Sequence, residues 1–280
     1  MESDNALSTE ATGDAAGGET VTGGSVFRDV LGSSVKTDVL VAVAAMPSET
    51  DELIESIDAS ESAIYNALGD LERRGLVRTV DGHREVTGSG QLVADLLEQQ
   101  GNLCRLLADD YWETHDVGAL PRRFRLRLTE LADAEVFRAP DTDPHAAVRE
   151  VVDRVEATES RLDIVTPIYQ AEYEVVMPDR EGARLVIDRT VVEESFERIG
   201  SMEEARIFEE TEVRLMDVDV GVGLTDDALM LSLPTIDGQY DSRTEVFATD
   251  ERALAWGSDL YEYYWERATP ADEFVEAYEW

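Results

Sequence analysis

Apolar residues in "SSVKTDVLVAVAAM" fall at Val35, Val39, Leu40 and Val43, the spacing of one helical face, and Pro47 ends the segment. "SETDELIESI" follows with Leu53, Ile54 and Ile57 as its stripe, and with Ser48 and Asp51 spaced as a capping box. After the short turn "DAS", Ser60 is the expected N-cap of a third helix. That helix sets Ile64, Ala67, Leu68 and Leu71 on one side at i, i+3, i+4 and i+7. Gly75 suits a left-handed cap at its end. The period then changes. "LVRTV" and "REVT" read as short strands flanking "DGH", and Asp-Gly is a strong hairpin-turn signal.

Three short helices and a hairpin, in that order, predict a winged helix-turn-helix. From Gly90 to about Asp116 a longer helical stretch places Val93, Leu96, Leu97, Leu103 and Leu107 roughly on one side, with Gly101 as a weak point. Two readings of that stripe stand open: a connector that also joins two copies, or packing within one subunit. Beyond it, "LPRRFRLRLTELAD" predicts an amphipathic helix beginning near Pro121, and "PHAAVREVVDRVEATES" another. "RLDIVTP", "ARLVID" and "EVRLMDV" read as strands, with the turn "PDREG" before the second and a helix over "TVVEESFERIGSMEEARIFEE" before the third. "VGVGLTDDALMLSLPT" reads as a hairpin about "TDDA". "TEVFATD" is a last strand, capped by Thr249 or Asp250 into the helix "ERALAWGSDLYEYYWERAT". Helices alternating with apolar strands predict a layered α/β sheet with some antiparallel pairing. The expected fold class is therefore multidomain α/β. Residues 1–25 form a disordered acidic leader and 26–89 the winged helix-turn-helix. Residues 90–116 form a connector or dimerisation helix, and 117–280 an α/β effector-sensing domain.

Charge changes the picture. The chain has 62 acids against 24 bases and a formal net charge of -38. Lys36 is the one lysine; the other bases are arginines. The four Trp, nine Tyr and seven Phe argue for a folded protein with an acid-coated surface, not a disordered acidic chain. Such a surface stays hydrated in concentrated salt, where a Debye length of about 3 Å at roughly 1 M screens its self-repulsion. The arginine bias and acid load resemble a salt-loving archaeal proteome. With Cys104 as the one cysteine, neither a disulfide nor a cysteine-based zinc site is available, and a small buried hydrophobe on a helix is its expected role. The chain has no apolar run of about 18 residues, and its first residues lack the bases and apolar core of a signal peptide. The expected location is cytoplasmic, with no membrane contact.

Chemistry-bearing residues concentrate on the third helix. Opposite its core side lie Ser62, Asn66, Gly69 and Arg73, with Tyr65 beside them. Small and amide side chains there suit base edges, whereas Tyr65, Arg73 and Arg74 suit phosphates. His83 and Arg84 on the wing are placed for a neighbouring groove or backbone. With Ser60, these are the expected DNA-binding residues; the bland alternative is a solvated or protein-binding winged helix. From Ser60 to Gly90 the formal charge is only -1, against five acids and no bases in the first 24 residues. Phosphate affinity comes from counterion release and weakens steeply with salt. A nearly discharged reading surface thus predicts weak non-specific binding.

"PRRFRLR" is the most basic spot, with Arg122, Arg123, Arg125 and Arg127 within seven residues. Pairing with local acids is the preferred expectation; an anion clamp or an extra DNA-backbone contact is the functional one. No Walker loop or dinucleotide fingerprint occurs, and "GVG" at 221–223 is too short to count. The strand pattern of the second domain resembles the phospholipase-D-like fold, whose chemistry needs His-x-Lys. His83, His115 and His145 are followed at +2 by Glu85, Val117 and Ala147, so the nucleophile constellation is missing. No catalytic residue, metal site or cofactor is expected.

"SESAIYNALGDLERRGLV", "WETHDVGALPRRFRLRLTELADAEVF", "LDIVTPIY" and "DGQYDSRTEVFATDERALAWGSDLYEYY", in this order, carry a resemblance over about residues 26–268. The chain resembles archaeal winged-helix transcriptional regulators whose effector domain is named for a methanogenesis regulatory protein. These are related in style to sugar-responsive archaeal regulators with a phospholipase-D-like sensor. The resemblance implies a homodimer on double-stranded DNA and a non-catalytic sensor of a small-molecule effector. Thr166, Pro167 and Tyr169 fall at the end of a predicted core strand, where α/β sheets place ligands. They join Asp241 and Trp256, from an aromatic and polar stretch, as expected effector-binding residues. The alternatives are an interaction or oligomerisation module without a ligand, and a degenerate phosphodiesterase-fold enzyme.

Overall fold

The structure is a computed structural model that describes residues 28–157, 162–169, 182–193, 211–271 and 273. The acidic leader, most of the turn "PDREG" and most of the predicted helix after Thr190 lie outside the described residues. The chain divides into two compact units, Met1–Glu98 and Gln99–Trp280.

In the first unit the helical periods predict the elements well. Helix α1 (Ser34–Ala45) is capped by the Ser33 hydroxyl and buries Val39, Leu40 and Val43. Helix α2 (Thr50–Ser56) buries Leu53, with Ile54 and Ile57 packed at the edge of the same core. Its N-cap is Glu49, not Ser48: the Glu52 carboxylate accepts from the Glu49 N–H at 2.8 Å. Ser48 is withdrawn because its backbone pairs with Arg84 at the base of the wing. Helix α3 (Glu61–Arg73) buries Ile64, Ala67, Leu68 and Leu71, as its spacing requires. Strands β1 (Val77–Val80) and β2 (His83–Val86) pair antiparallel through the two-residue turn Asp81-Gly82. Both turn residues have positive φ (49° and 89°), as a type I′ turn demands. The turn is one residue shorter than "DGH", so His83 opens the second strand opposite Val80.

Helix α4 (Gly88–Leu106) stops short of the predicted Asp116. Asp109 and Asp110 instead turn toward Arg138, and the chain resumes as the single turn α5 (Tyr111–Thr114). Gly90 in the first turn of α4 is obligatory: a Cβ there would lie 1.9 Å from the Leu76 carbonyl oxygen. Ala94 and Leu97 bury in the first unit's core and Leu106 in the second's, whereas Leu92, Leu96, Leu103 and Leu107 are exposed. Cys104 is also exposed, against expectation, because it sits on the outer side of this helix.

The second unit is a mixed α/β layer. Its eight-stranded sheet runs β10-β6-β5-β4-β7-β8-β9-β3. The strands are β3 (Glu135–Arg138), β4 (Asp163–Thr166), β5 (Arg184–Ile187), β6 (Glu212–Leu215), β7 (Gly221–Leu224), β8 (Leu229–Ser232), β9 (Thr244–Ala248) and β10 (Thr269–Pro270). β4, β5 and β6 are parallel neighbours; the remaining pairs are antiparallel. The edge strands β3 and β10 go beyond the sequence expectation.

The predicted long helix after Pro121 is broken into α6 (Arg122–Arg125) and a 3-10 turn, Leu128–Leu131. At the break the Phe124 carbonyl accepts from the Arg127 N–H at 2.9 Å and from the Trp256 indole N–H at 3.2 Å, in place of the residue-128 N–H a continuing helix would supply. Helices α7 (Ala146–Glu156) and α8 (Glu251–Trp265) form as predicted, and Asp250, not Thr249, caps α8. One face of the sheet buries Val186, Val222, Leu231 and Val246 with Trp256, Leu260 and Tyr261 of α8. The other buries Leu185, Val213, Met230 and Phe247 with Val155 of α7.

Candidate nucleic-acid interface and effector pocket

Helix α3 presents Ser62, Tyr65, Asn66 and Arg73 to solvent, with Gly69 half-buried among them. Ser60 caps the helix, its hydroxyl accepting from the Ala63 N–H at 3.3 Å, and lies 3.2 Å from the Ser62 hydroxyl. Tyr65 is 49% exposed, a large surface for an aromatic side chain in this unit. Four expected DNA-binding residues thus share one open face.

The remaining cations are engaged to different degrees. Arg73 extends into solvent but pairs with Asp70 one turn back. Arg74 is turned inward and pairs with Asp29 at 3.0 Å. Lys36 stands beside it, 2.7 Å from Asp29 and 2.9 Å from Asp70. The Lys36 hydrogen bond holds the Asp29 carboxyl below its usual range. Arg84 is also drawn in: it pairs with Glu72 and donates to the Thr79 hydroxyl at 2.7 Å and the Thr50 hydroxyl at 3.3 Å. Arg74 and Arg84 therefore brace the wing and helix instead of facing outward. His83 remains half exposed, 3.7 Å from Glu49. Arg78, which sequence reasoning missed, is 64% exposed on β1 and pairs with Glu85 at 2.9 Å. Its signal was available: strand alternation turns residue 78 away from the buried Val77.

In the second unit, a small solvent-open hollow lies on the α7 face of the sheet. Among the described residues its walls include Val155, Ile164 and Met230, and its polar groups are Thr166, Ser232, Tyr240 and Glu245. The space depends on the glycines of β7. A Cβ on Gly223 would come 2.9 Å from the Met230 methyl, and one on Gly221 would come 3.3 Å from Ser232. The "GVG" stretch is thus a clearance device. Glu245 is 8% exposed and accepts from the Ser232 hydroxyl, which lies 3.5 Å from the Tyr240 hydroxyl. Burial pushes the Glu245 carboxyl up to about 8; the Ser232 hydrogen bond opposes the shift and the Asp241 charge adds to it.

Of the expected effector residues, Thr166 lines the hollow, with its hydroxyl donating to the Ile168 carbonyl at 2.7 Å. Pro167 follows at the strand end, and Tyr169 is 44% exposed. Asp241 stands behind Glu245, 3.3 Å from His115 Nε2 and accepting from the Arg243 N–H at 2.9 Å. The His115 hydrogen bond, with help from Thr244 and Arg243, lowers the Asp241 carboxyl to about 2. Trp256 is fully buried on the opposite face and is absent from the lining. Sequence reasoning missed Glu245, Ser232 and Tyr240.

At the basic spot, Arg127 pairs with Glu130 and Asp259, as expected. Arg122 and Arg125 are exposed, and Arg123 lies against the rings of Phe124 and Tyr263 at 4.6 and 4.4 Å. Local pairing accounts for one of the four arginines. Among the described residues, no cluster of three His, Cys, Asp or Glu is placed to hold a metal ion, and no helix is long and apolar enough to cross a membrane.

Comparison with known proteins follows the same division. The family model described as the HVO_A0261 N-terminal domain matches residues 26–102. The chain is 24% identical over 261 residues to the methanogenesis regulatory protein FilR1 of Methanothrix harundinacea (strain 6Ac), covering 86% of this chain. It spans 57% of that relative's length. Among solved structures, the archaeal chromatin protein TrmBL2 aligns over 88% of this chain and 98% of its own, at 14% identity and a TM-score of 0.36. A MarR family protein of Mycobacterium tuberculosis aligns over 31% of this chain and 69% of its own, at 22% identity and a TM-score of 0.26. For the larger unit, residues 143–267 are similar to the family described as the middle domain of methanogenesis regulatory protein FilR1.

Proposed function

We propose that this chain is a DNA-binding transcriptional regulator whose second unit is a non-catalytic sensor of a small ligand. The observation that carries the reading is the open face of α3. It sets Ser62, Tyr65, Asn66 and Arg73 beside a two-residue wing turn, in a segment braced from behind by Arg74 and Arg84. The similarity to a regulatory protein over 86% of the chain supports it. In this reading Asn66 and Ser62 meet base edges, while Tyr65, Arg73, His83 and Arg78 meet phosphates. The hollow on the sheet is the sensor, and the layered domain is a phospholipase-D-like relative without its nucleophile. The protein acts in the cytoplasm of a salt-loving archaeon. Leu92, Leu96 and Leu103, exposed on α4, and Leu107 just past its end support a homodimer joined along that helix. Such an apolar stripe on a solvent face needs a partner to remove it from water.

The arginines of the reading face are already paired with Asp70 and Glu85, so phosphates must displace those acids. Weak non-specific binding follows, and specificity must come from direct contacts and DNA shape. The test is enrichment of sequences from a random oligonucleotide pool in molar potassium chloride. A defined motif is expected. Asn66→Ala should flatten the preference at one position, and Arg73→Ala should weaken all sequences alike. A pool from which nothing is enriched would overturn the proposal.

A further inference from the structure

Two carboxylates are buried among the described residues: Asp163, which is paired with Arg184, and Glu245. Strand β9 alternates, and with Val246 and Ala248 committed to the α8 core, Glu245 must point to the other face. There it meets apolar walls: Val155, Ile164 and Met230. Among the described residues its carboxyl has one hydrogen-bond partner, the Ser232 hydroxyl, and no cation in salt-bridge range. The charged group that acts on it most directly is Asp241, of the same sign. Buried carboxylates are ordinarily paired with a cation or neutralised. This one stands at the edge of an open hollow that two glycines keep clear.

We propose that the hollow binds a small organic cation, a primary ammonium on a short apolar chain. Its charged head would sit on Glu245 between the Ser232 and Tyr240 hydroxyls, and its chain would lie along Ile164, Val155 and Met230. Anionic ligands meet Asp241 and the field of a chain with net charge -38. Neutral polyols would leave hydroxyls against apolar walls. An ammonium supplies a counter-charge as the carboxyl releases its proton to solvent, and donates to the carboxylate and both hydroxyls. The upward displacement of the free carboxyl agrees with a site completed by its ligand. This assignment deepens the sensor reading and rests on it.

The experiment uses the full chain with three molecules of one carbon skeleton: n-butylammonium, 1-butanol and butyrate, at equal concentration. Butylammonium is expected to raise the unfolding temperature, and the other two to leave it unchanged. Glu245→Gln, which keeps the volume and a Ser232 hydrogen bond, is expected to abolish the response. A second measurement keeps the idea falsifiable if that variant folds poorly. In the wild-type protein, butylammonium should shift the amide NMR signals of Gly221 and Gly223 before those of α3. Equal stabilisation by butanol, no response to butylammonium, or an undiminished response in Glu245→Gln would overturn the ligand class. Operator binding with and without butylammonium separates the two readings. Occupancy of the hollow with unchanged DNA affinity would sink the sensor and leave the cation site standing. DNA affinity responding only to butanol or butyrate would keep the sensor and overturn the cation.

Discussion

Alternate residues of the same strands feed the two faces of the eight-stranded sheet, and the two faces are finished differently. On the α8 face, Val222, Leu231 and Val246 meet Trp256, Leu260 and Tyr261, all nearly or fully buried. The charged groups there are matched: Arg184 donates to Asp163 at 2.8 and 3.0 Å and to Glu262 at 2.7 Å, and lies over the Tyr261 ring at 4.6 Å. On the α7 face the same strands supply Gly221, Gly223, Ser232 and Glu245, and packing gives way to a hollow beside a carboxyl with no cation partner among the described residues. One face is filled for stability. The other leaves polar potential unspent, as binding sites do.

This comparison can be broken from either side. The largest expected effect is Trp256→Ala, which empties a fully buried site and frees the Phe124 carbonyl from its indole partner. A loss of about 3–5 kcal/mol is expected in urea unfolding; a loss comparable to a surface substitution would mean the α8 face is loosely packed. Next is Arg184→Met, which leaves Asp163 fully buried without its cation. About 3 kcal/mol should be lost, and Asp163→Asn added to it should recover much of the loss. A double variant no better than the single would show that Arg184 works through ring packing instead.

The effect that is smallest per step, because it is spread over several pH units, tests the other face. The Glu245 carboxyl is raised in the folded protein to about 8 from the ordinary 4.5. Between those values the folded state holds a proton that the unfolded state has released, so stability falls as pH rises from about 5 to about 8. Each full pH unit costs at most about 1.4 kcal/mol from this one group. Glu245→Gln should flatten that slope and be the more stable protein at pH 8. Parallel pH profiles for the two proteins would place the carboxyl in an environment like water.

Much of the first unit was legible because its helices bury one stripe each. Ile64, Ala67, Leu68 and Leu71 announce α3 by spacing alone, and Asp81-Gly82 announces the wing. What failed there depends on tertiary partners. Nothing local reveals that Arg74 meets Asp29 or that Arg84 meets Glu72. In the second unit the helix after Pro121 fits its pattern, yet it breaks where the Phe124 carbonyl turns to Arg127 and to a tryptophan 132 positions away. Strand β3 is too short to alternate visibly. Glu245 escaped because a carboxylate in "TEVFA" reads as the solvent side of a half-buried strand, and this strand is covered on both sides. Trp256 lies fully buried and away from the hollow, which its sequence context hides for a related reason: aromatics that fill a core and aromatics that line a pocket look alike in sequence.

Lys36 has one further consequence. Its ammonium, 16% exposed, bridges Asp29 and Asp70 and so ties the chain ahead of α1 to α3. It is the sole side-chain amine in the protein. Its ion pairs and partial burial should slow acylation until that clasp lets go. The rate at which the Lys36-containing peptide takes up an acyl group would therefore serve as a clock for the opening of α3, read by mass spectrometry without any engineered label.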